Sequence, residues 1–227
     1  YWFTSGVTRA VKSNSISVQE NWRSSPVPRP LNELMIDIVD GITPQVFVFR
    51  LLLQSLPSSG IDFEDVITTL STIPLAAPFY IIAAGVNAGE GVIITRNETG
   101  VDGPETGATS LPRLATTGRS TLVQTNYDWW VDDPDYDPRK SSAVAILTQV
   151  SSGGDEYYDV GIKQVMFLFG VISSYPVHNP HTVYTAMLCA SETEESGMLG
   201  AYVRVAMCPQ HRTGSAYLDE TYCPLVL

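Results

Sequence analysis

The 227-residue sequence predicts a layered α+β body, and three observations carry that reading. Apolar residues make up 44% and charged residues 16%, a composition that buries a core and does not describe a disordered tail. Segments with helical spacing fall into two clusters, over 31–73 and 142–170. Segments with strand character lie between and after them. The length allows one domain over 1–227 with a Cys-containing tail at 208–227, or less readily two small ones.

Ser15-Ile16-Ser17-Val18 alternates with period two, so a short half-buried strand delivers Glu20 at its end. A carboxylate there can reach a cleft or can be solvated at the surface. Three prolines within 24–30 read as an extended connector. Leu31, Leu34, Met35, Ile38 and Val39 recur at helical spacing, and Gly41 stops that helix. Thr43-Pro44 reads as a cap followed by proline in the first helical position, opening a helix over Val46–Leu56. Val46, Phe47, Val48, Phe49, Leu51, Leu52 and Leu53 cover nearly every face of it, with Arg50 as the charge among them. Such a helix is either buried on all sides or touches something apolar outside the protein. A third helix runs from Asp62 to about Ile73, with Phe63, Val66, Ile67 and Leu70 on one stripe.

Phe79–Ala84 and Val92–Thr95 read as strands joined by a turn whose glycines and Asn87 permit positive φ. No lysine follows that turn and no helix opens after it, so it is not a phosphate loop. Residues 97–120 form a long irregular excursion, and Thr121–Thr125 returns to strand, ending on Asn126. Ser142–Val150 and Tyr157–Gly170 have helical character, separated by a Ser-Gly break. Two last strands, Thr182–Ala190 and Gly200–Met207, flank an acidic turn at 191–196.

Thirteen basic against twenty-four acidic side chains give a formal charge of -11 with no basic stripe, which excludes nucleic acid as a partner. The most apolar window, Ile73–Val86, contains Pro74 and Pro78 and is shorter than the roughly 18 to 20 residues of a membrane span. Tyr1-Trp2-Phe3-Thr4 is not a signal peptide and reads as the start of a processed or truncated chain. Cys189 sits in an apolar run as a buried thiol, whereas Cys208 and Cys223 share the tail, where a bridge would pin a segment with little core. Asn97-Glu98-Thr99 is an acceptor sequon in a turn-like setting.

Metal and cofactor chemistry find no support in the sequence. Asp133, Asp135 and Asp137 match the first positions of a calcium loop, but Pro138 stands where glycine is needed and Val144 where a bidentate glutamate is needed. Pro180 keeps His178 and His181 off a common helical face. Gly-x-Ser-x-Gly, GxGxxG and Walker A patterns do not occur. What remains is Asn126, Arg139 thirteen positions on, and Glu20. A side-chain amide can donate to an oxyanion, and a guanidinium can hold developing negative charge. Neither is a nucleophile.

Gly89-Glu90-Gly91-Val92-Ile93-Ile94-Thr95-Arg96, Thr125-Asn126-Tyr127-Asp128 with a following Trp, Asp137-Pro138-Arg139-Lys140 and Thr182-Val183-Tyr184-Thr185 stand in one order. In that order they resemble the motifs of the acid ceramidase and N-acylethanolamine acid amidase family of N-terminal-nucleophile hydrolases. The similarity spans roughly Ser15 to Cys208, with Val18-Gln19-Glu20-Asn21 where the family has a short strand ending in Glu. The resemblance implies an αββα sandwich, incomplete here, and a precursor that cleaves itself into a small (alpha) and a large subunit. It implies hydrolysis of the fatty-acyl amide bond of ceramide-like or N-acylethanolamine-like lipids by an N-terminal cysteine.

By the same resemblance Asn126 is the oxyanion donor, Arg139 lines the reacting centre and Glu20 joins its polar network. The Cys208–Cys223 tail is closer to the ceramidase branch. The apolar helices over 31–56 occupy the lipid-facing region, with Phe47, Phe49 and Leu52 as lipid contacts at a membrane surface or lipid carrier, in a lysosomal or secreted setting. The family's Cys-Thr-Ser start and Arg-Asn-x-Asp motif do not occur. The chain is therefore expected to be the large subunit without its N-terminal segment, inactive alone. The alternative is a lipid-binding or structural relative that has lost its nucleophile.

Overall fold

The structure, a computed structural model, describes residues 9–12, 15–24, 30–57, 61–104, 111–117, 121–151, 167–168, 170–178, 184–188, 190 and 201–205. The chain divides into two compact units, Tyr1–Asp132 with Leu188–Gly200, and Asp133–Met187 with Ala201–Leu227.

In the first unit β1 (Arg9–Lys12), β2 (Ile16–Trp22), β3 (Phe79–Gly85) and β4 (Gly91–Arg96) form an antiparallel sheet in sequential order. Val18 pairs with Ala83, and Ala83 with Val92. Alternation along the strands then puts Ile16, Val18, Phe79, Ile81, Ala83, Val92 and Ile94 on one face. All seven are buried in one cluster with residues of two helices, Val48, Phe49 and Leu52 of α2 (Gln45–Ser55) and Phe63, Val66, Ile67 and Leu70 of α3 (Phe63–Thr72). Strand β1 escapes a pattern reading because Arg9-Ala10-Val11-Lys12 does not alternate. Lys12 Nζ donates to the carbonyls of Leu56, the C-cap of α2, and of Pro57 after it, a cation at the helix end the dipole favours.

Helix α1 (Leu31–Val39) ends as expected, with Gly41 in the left-handed region at φ 90°. Helix α3 has Asp62 as its N-cap, its carboxylate accepting from the N–H groups of Glu64 and Asp65. The cap of α2 differs from expectation. Pro44, not Thr43, is the N-cap and offers no side-chain bond. Thr43 instead bridges to Leu75, its N–H donating to Pro74 O and its carbonyl accepting from Ala76 N, so tertiary pairing takes the residue that local pattern assigns to the helix.

Four further expectations are corrected. Glu20 lies inside β2, paired with Ile81, and not past the strand's end. Thr121–Thr125 is irregular and not a strand. The excursion before it contains a short helix, α4 (Leu114–Thr117). Phe49 and Leu52 are not lipid-facing: they are 0% and 5% exposed in the core, because α2 turns its 48-49-52 stripe onto the sheet. Phe47 is half-buried. Large apolar exposure falls instead on Met35, Ile36, Ile38 and Val39 of α1 and on Leu51.

In the second unit α5 (Arg139–Ser151) begins at Arg139 itself, three residues before the expected start. Asp133 Oδ2 accepts from Ser141 N at 2.9 Å, serving a first-turn N–H that has no partner inside the helix. Residues 167–168 and 170–172 are helical, and β5 (Tyr184–Leu188) and β6 (Ala201–Val205) form a two-stranded sheet. Most of the helix expected over Tyr157–Gly170 lies outside the described residues, as do Cys189, Cys208, Cys223, His181 and the turn at 191–196. Among the described residues no helix is long and apolar enough to cross a membrane.

Candidate active site

Residues 121–125 run without a strand ladder, and bonds from the end of β2 take its place. Asn21 Nδ2 donates to Gln124 O at 3.0 Å. Asn126 Nδ2 donates to Trp22 O at 2.7 Å. Arg23 grips Asp128 with a fork, Nε to Oδ1 at 2.7 Å and Nη2 to Oδ2 at 2.9 Å. Three consecutive residues therefore hold every second residue of the segment, 124, 126 and 128. Gln124 Nε2 closes the bend at 126–127 from within, donating to the carbonyls of Tyr127 at 2.7 Å and Thr125 at 3.0 Å.

The Arg23–Asp128 pair is the centre of a wider network. Tyr80 Oη, from β3, donates to Asp128 Oδ1 at 2.8 Å. Arg23 Nη1 meets Asp102 Oδ2 at 2.8 Å and donates to Arg96 O at 3.2 Å. The guanidinium also lies near the rings of Tyr80 and Trp130, at 5.8 and 6.0 Å from their centroids, and Trp130 stands edge-on to Trp129. Burial alone would lower the Arg23 pKa, but hydrogen bonds and charge from Asp128 and Asp102 outweigh it and hold the guanidinium firmly cationic. Burial, with the bond to Asp128 second, pushes the Tyr80 phenol above its usual range, so it stays a donor.

These contacts locate the sequence-derived residues. Asn126 is half-buried, and its side-chain amide donates to Trp22 O, which sets the plane of the amide. Glu20 is half-buried two residues before Trp22 on the same strand. Arg139 belongs to the second unit, where Asp137 takes it in a fork, Nε to Oδ1 and Nη2 to Oδ2, both at 2.6 Å. Part of the acidic run thus serves the start of α5: Asp133 caps it and Asp137 neutralises its first residue. Among the described residues no group of three or more His, Cys, Asp or Glu could hold a metal ion.

Arg23 and Tyr80 were not singled out from the sequence. An arginine after a strand and a tyrosine within one carry no local mark. The register of β2 against β3, with Asn21 opposite Tyr80, is what brings them to Asp128, 105 and 48 positions away.

No family model matches the chain. Similarity to individual proteins is substantial. N-acylethanolamine-hydrolyzing acid amidase of Oryctolagus cuniculus is 34% identical over 144 residues, 63% of this chain and 36% of the relative. Acid ceramidase of Homo sapiens is 29% identical over 154 residues, 67% of this chain and 34% of the relative. The chain thus spans about a third of the length of the curated relatives it matches. The Caenorhabditis elegans N-acylethanolamine-hydrolyzing acid amidase ortholog superimposes with a TM-score of 0.56 at 22% identity, over 91% of this chain and 72% of that one. That likeness gives the α+β fold, of the N-terminal-nucleophile hydrolase type. Over the matched third of their length, then, the chain is similar to N-acylethanolamine-hydrolyzing acid amidase and to acid ceramidase, and it shares the fold of the former's ortholog.

Proposed function

We propose that the full protein carrying this chain cleaves the fatty-acyl amide bond of ceramide-like or N-acylethanolamine-like lipids, with this chain supplying the oxyanion side of the site. The observation that carries the reading is Asn126, whose amide is fixed by Trp22 O within the Thr125-Asn126-Tyr127-Asp128 motif. In this reading an N-terminal cysteine outside 1–227 attacks the amide carbonyl through its thiolate. Electron density moves to the carbonyl oxygen, which accepts a hydrogen bond from Asn126. The α-ammonium then gives a proton to the leaving amine, and water releases the fatty acid from the thioester. Arg139 lines the reacting centre, tempered by Asp137, and Glu20 joins the polar network.

The reading extends to the setting. The protein is lysosomal or secreted and takes substrate from a membrane surface or lipid carrier, with Phe47 as the remaining lipid contact on α2. The chain associates with a small subunit of the same precursor and with the segment that carries the nucleophile, and Cys208–Cys223 is a disulfide. Asn97 is glycosylated. Its Oδ1 accepts from Thr99 N, Thr99 Oγ1 and Gly100 N, an Asx turn that presents the sequon on a bend. Protein from a secretory host should lose mass on glycosidase treatment, and Asn97→Gln should abolish that share of the loss; an unchanged shift removes the site.

The test of the activity uses the complete protein. Asn126→Ala should lower kcat about 10²-fold, the usual scale for one oxyanion donor, and the 227-residue chain expressed by itself should give no turnover. Wild-type rates in Asn126→Ala take Asn126 out of the mechanism. A full-length coding sequence without the cysteine leaves a lipid-binding relative.

A further inference from the structure

We propose that Asp128 is a positioning residue for Asn126: its carboxylate, clamped by Arg23 and Tyr80, fixes the bend that presents the Asn126 amide and does not itself meet substrate. The inference rests on the oxyanion role given to Asn126 above.

A donor in an oxyanion hole works only where it is held before the charge develops, and a misplacement of about 1 Å can cost about 10²-fold in rate. Regular secondary structure ordinarily supplies that rigidity. Here it does not, because Asn126 and Tyr127 form a bend with irregular chain before it. The segment is pinned at two anchors instead. Upstream, Asn21 holds the carbonyl of Gln124. Downstream, Asp128 is held from two strands at once, by Arg23 just past β2 and by Tyr80 within β3.

The two anchors differ in strength. Asn21 makes one neutral bond, whereas Asp128 accepts three, two of them charge-assisted and in the planar fork that fixes orientation as well as distance. The pair is sheltered, with the Arg23 and Asp128 side chains 12% and 22% exposed. Asp128 also fits no other task. Both its oxygens are engaged by Arg23, and Oδ1 is shared with Tyr80, so the carboxylate faces the sheet that holds it.

Asp128→Asn keeps the size of the side chain and removes the charge and one acceptor; Tyr80→Phe removes one bond and leaves the Arg23 fork. In the complete protein Asp128→Asn should lower kcat about 10- to 100-fold with KM within about threefold, and Tyr80→Phe should lower kcat about 3- to 10-fold. In an Asn126→Ala background either substitution should cost less than about twofold more, because both act through that amide. A loss that multiplies in full with Asn126→Ala overturns the proposal.

A second readout needs no turnover. Backbone amides of 124–131 should exchange with deuterium about tenfold faster in both variants, while those of the β3–β4 hairpin are unchanged. Equal exchange in wild type and variants overturns the clamp even if activity falls. Conversely, faster exchange in a protein where Asn126→Ala is fully active sinks the oxyanion role and leaves the clamp without a catalytic purpose. Should Asp128→Asn not fold, Tyr80→Phe carries both measurements.

Discussion

Arg96 shows how much one side chain can decide. It is fully buried, and among the described residues its guanidinium is met by backbone carbonyls and not by a carboxylate. Its Nε donates to Gly100 O at 2.9 Å, its Nη2 to Ile73 O at 2.6 Å and its Nη1 to Leu70 O. Leu70 belongs to the last turn of α3, where carbonyls lack helical partners and the helix dipole favours a cation. Burial pulls its pKa down to about 10, so it remains charged at neutral pH. Arg96→Met fills similar space but leaves buried carbonyls without donors, and should lower unfolding free energy by about 3 kcal/mol in denaturant titration. A change under about 0.5 kcal/mol would show that water takes over the guanidinium's bonds. The sequence shows Arg96 just past an apolar strand; that it ties β4 to the end of α3 follows from packing.

At the scale of elements, local pattern reads the helices well and the connections poorly. The Asp62 cap, the apolar stripe of α3 and the stop at Gly41 are short-range features, decided within a turn of helix. The position of α4 is not. Four residues form it, and it lies where the backbone of β4 leaves room. A Cβ built on Gly91 would stand 2.5 Å from Leu114 Cδ1, so that glycine is needed for contact and not for a turn. Gly91→Ala should therefore destabilise the first unit by about 1 to 2 kcal/mol, and adding Leu114→Ala should recover part of it in a double-mutant cycle. Strict additivity of the two losses would show that α4 moves aside freely. The α2 helix makes the complementary point. Its composition is apolar on nearly every face, and composition alone favours the core while leaving a lipid- or partner-facing role open; burial of Phe49 and Leu52 decides for the core on that stripe.

For the molecule as a whole, the α+β class and the likeness to these amidases are legible in the sequence because they rest on periodicity and on ordered motifs, both local in the chain. The same motifs marked Asn126. They could not show what holds it. Sequence alone determined that an amide, Asn126, and an arginine, Arg139, stand thirteen residues apart in an acidic, core-forming chain. Tertiary structure decided that Asn126 rests on a carbonyl of β2, that Arg139 starts a helix in fork contact with Asp137, and that Arg23 and Tyr80 meet at Asp128. The physical reason is range. Capping and amphipathic spacing act over a few residues, whereas strand register fixes contacts between residues about a hundred positions apart and leaves no trace in either local sequence.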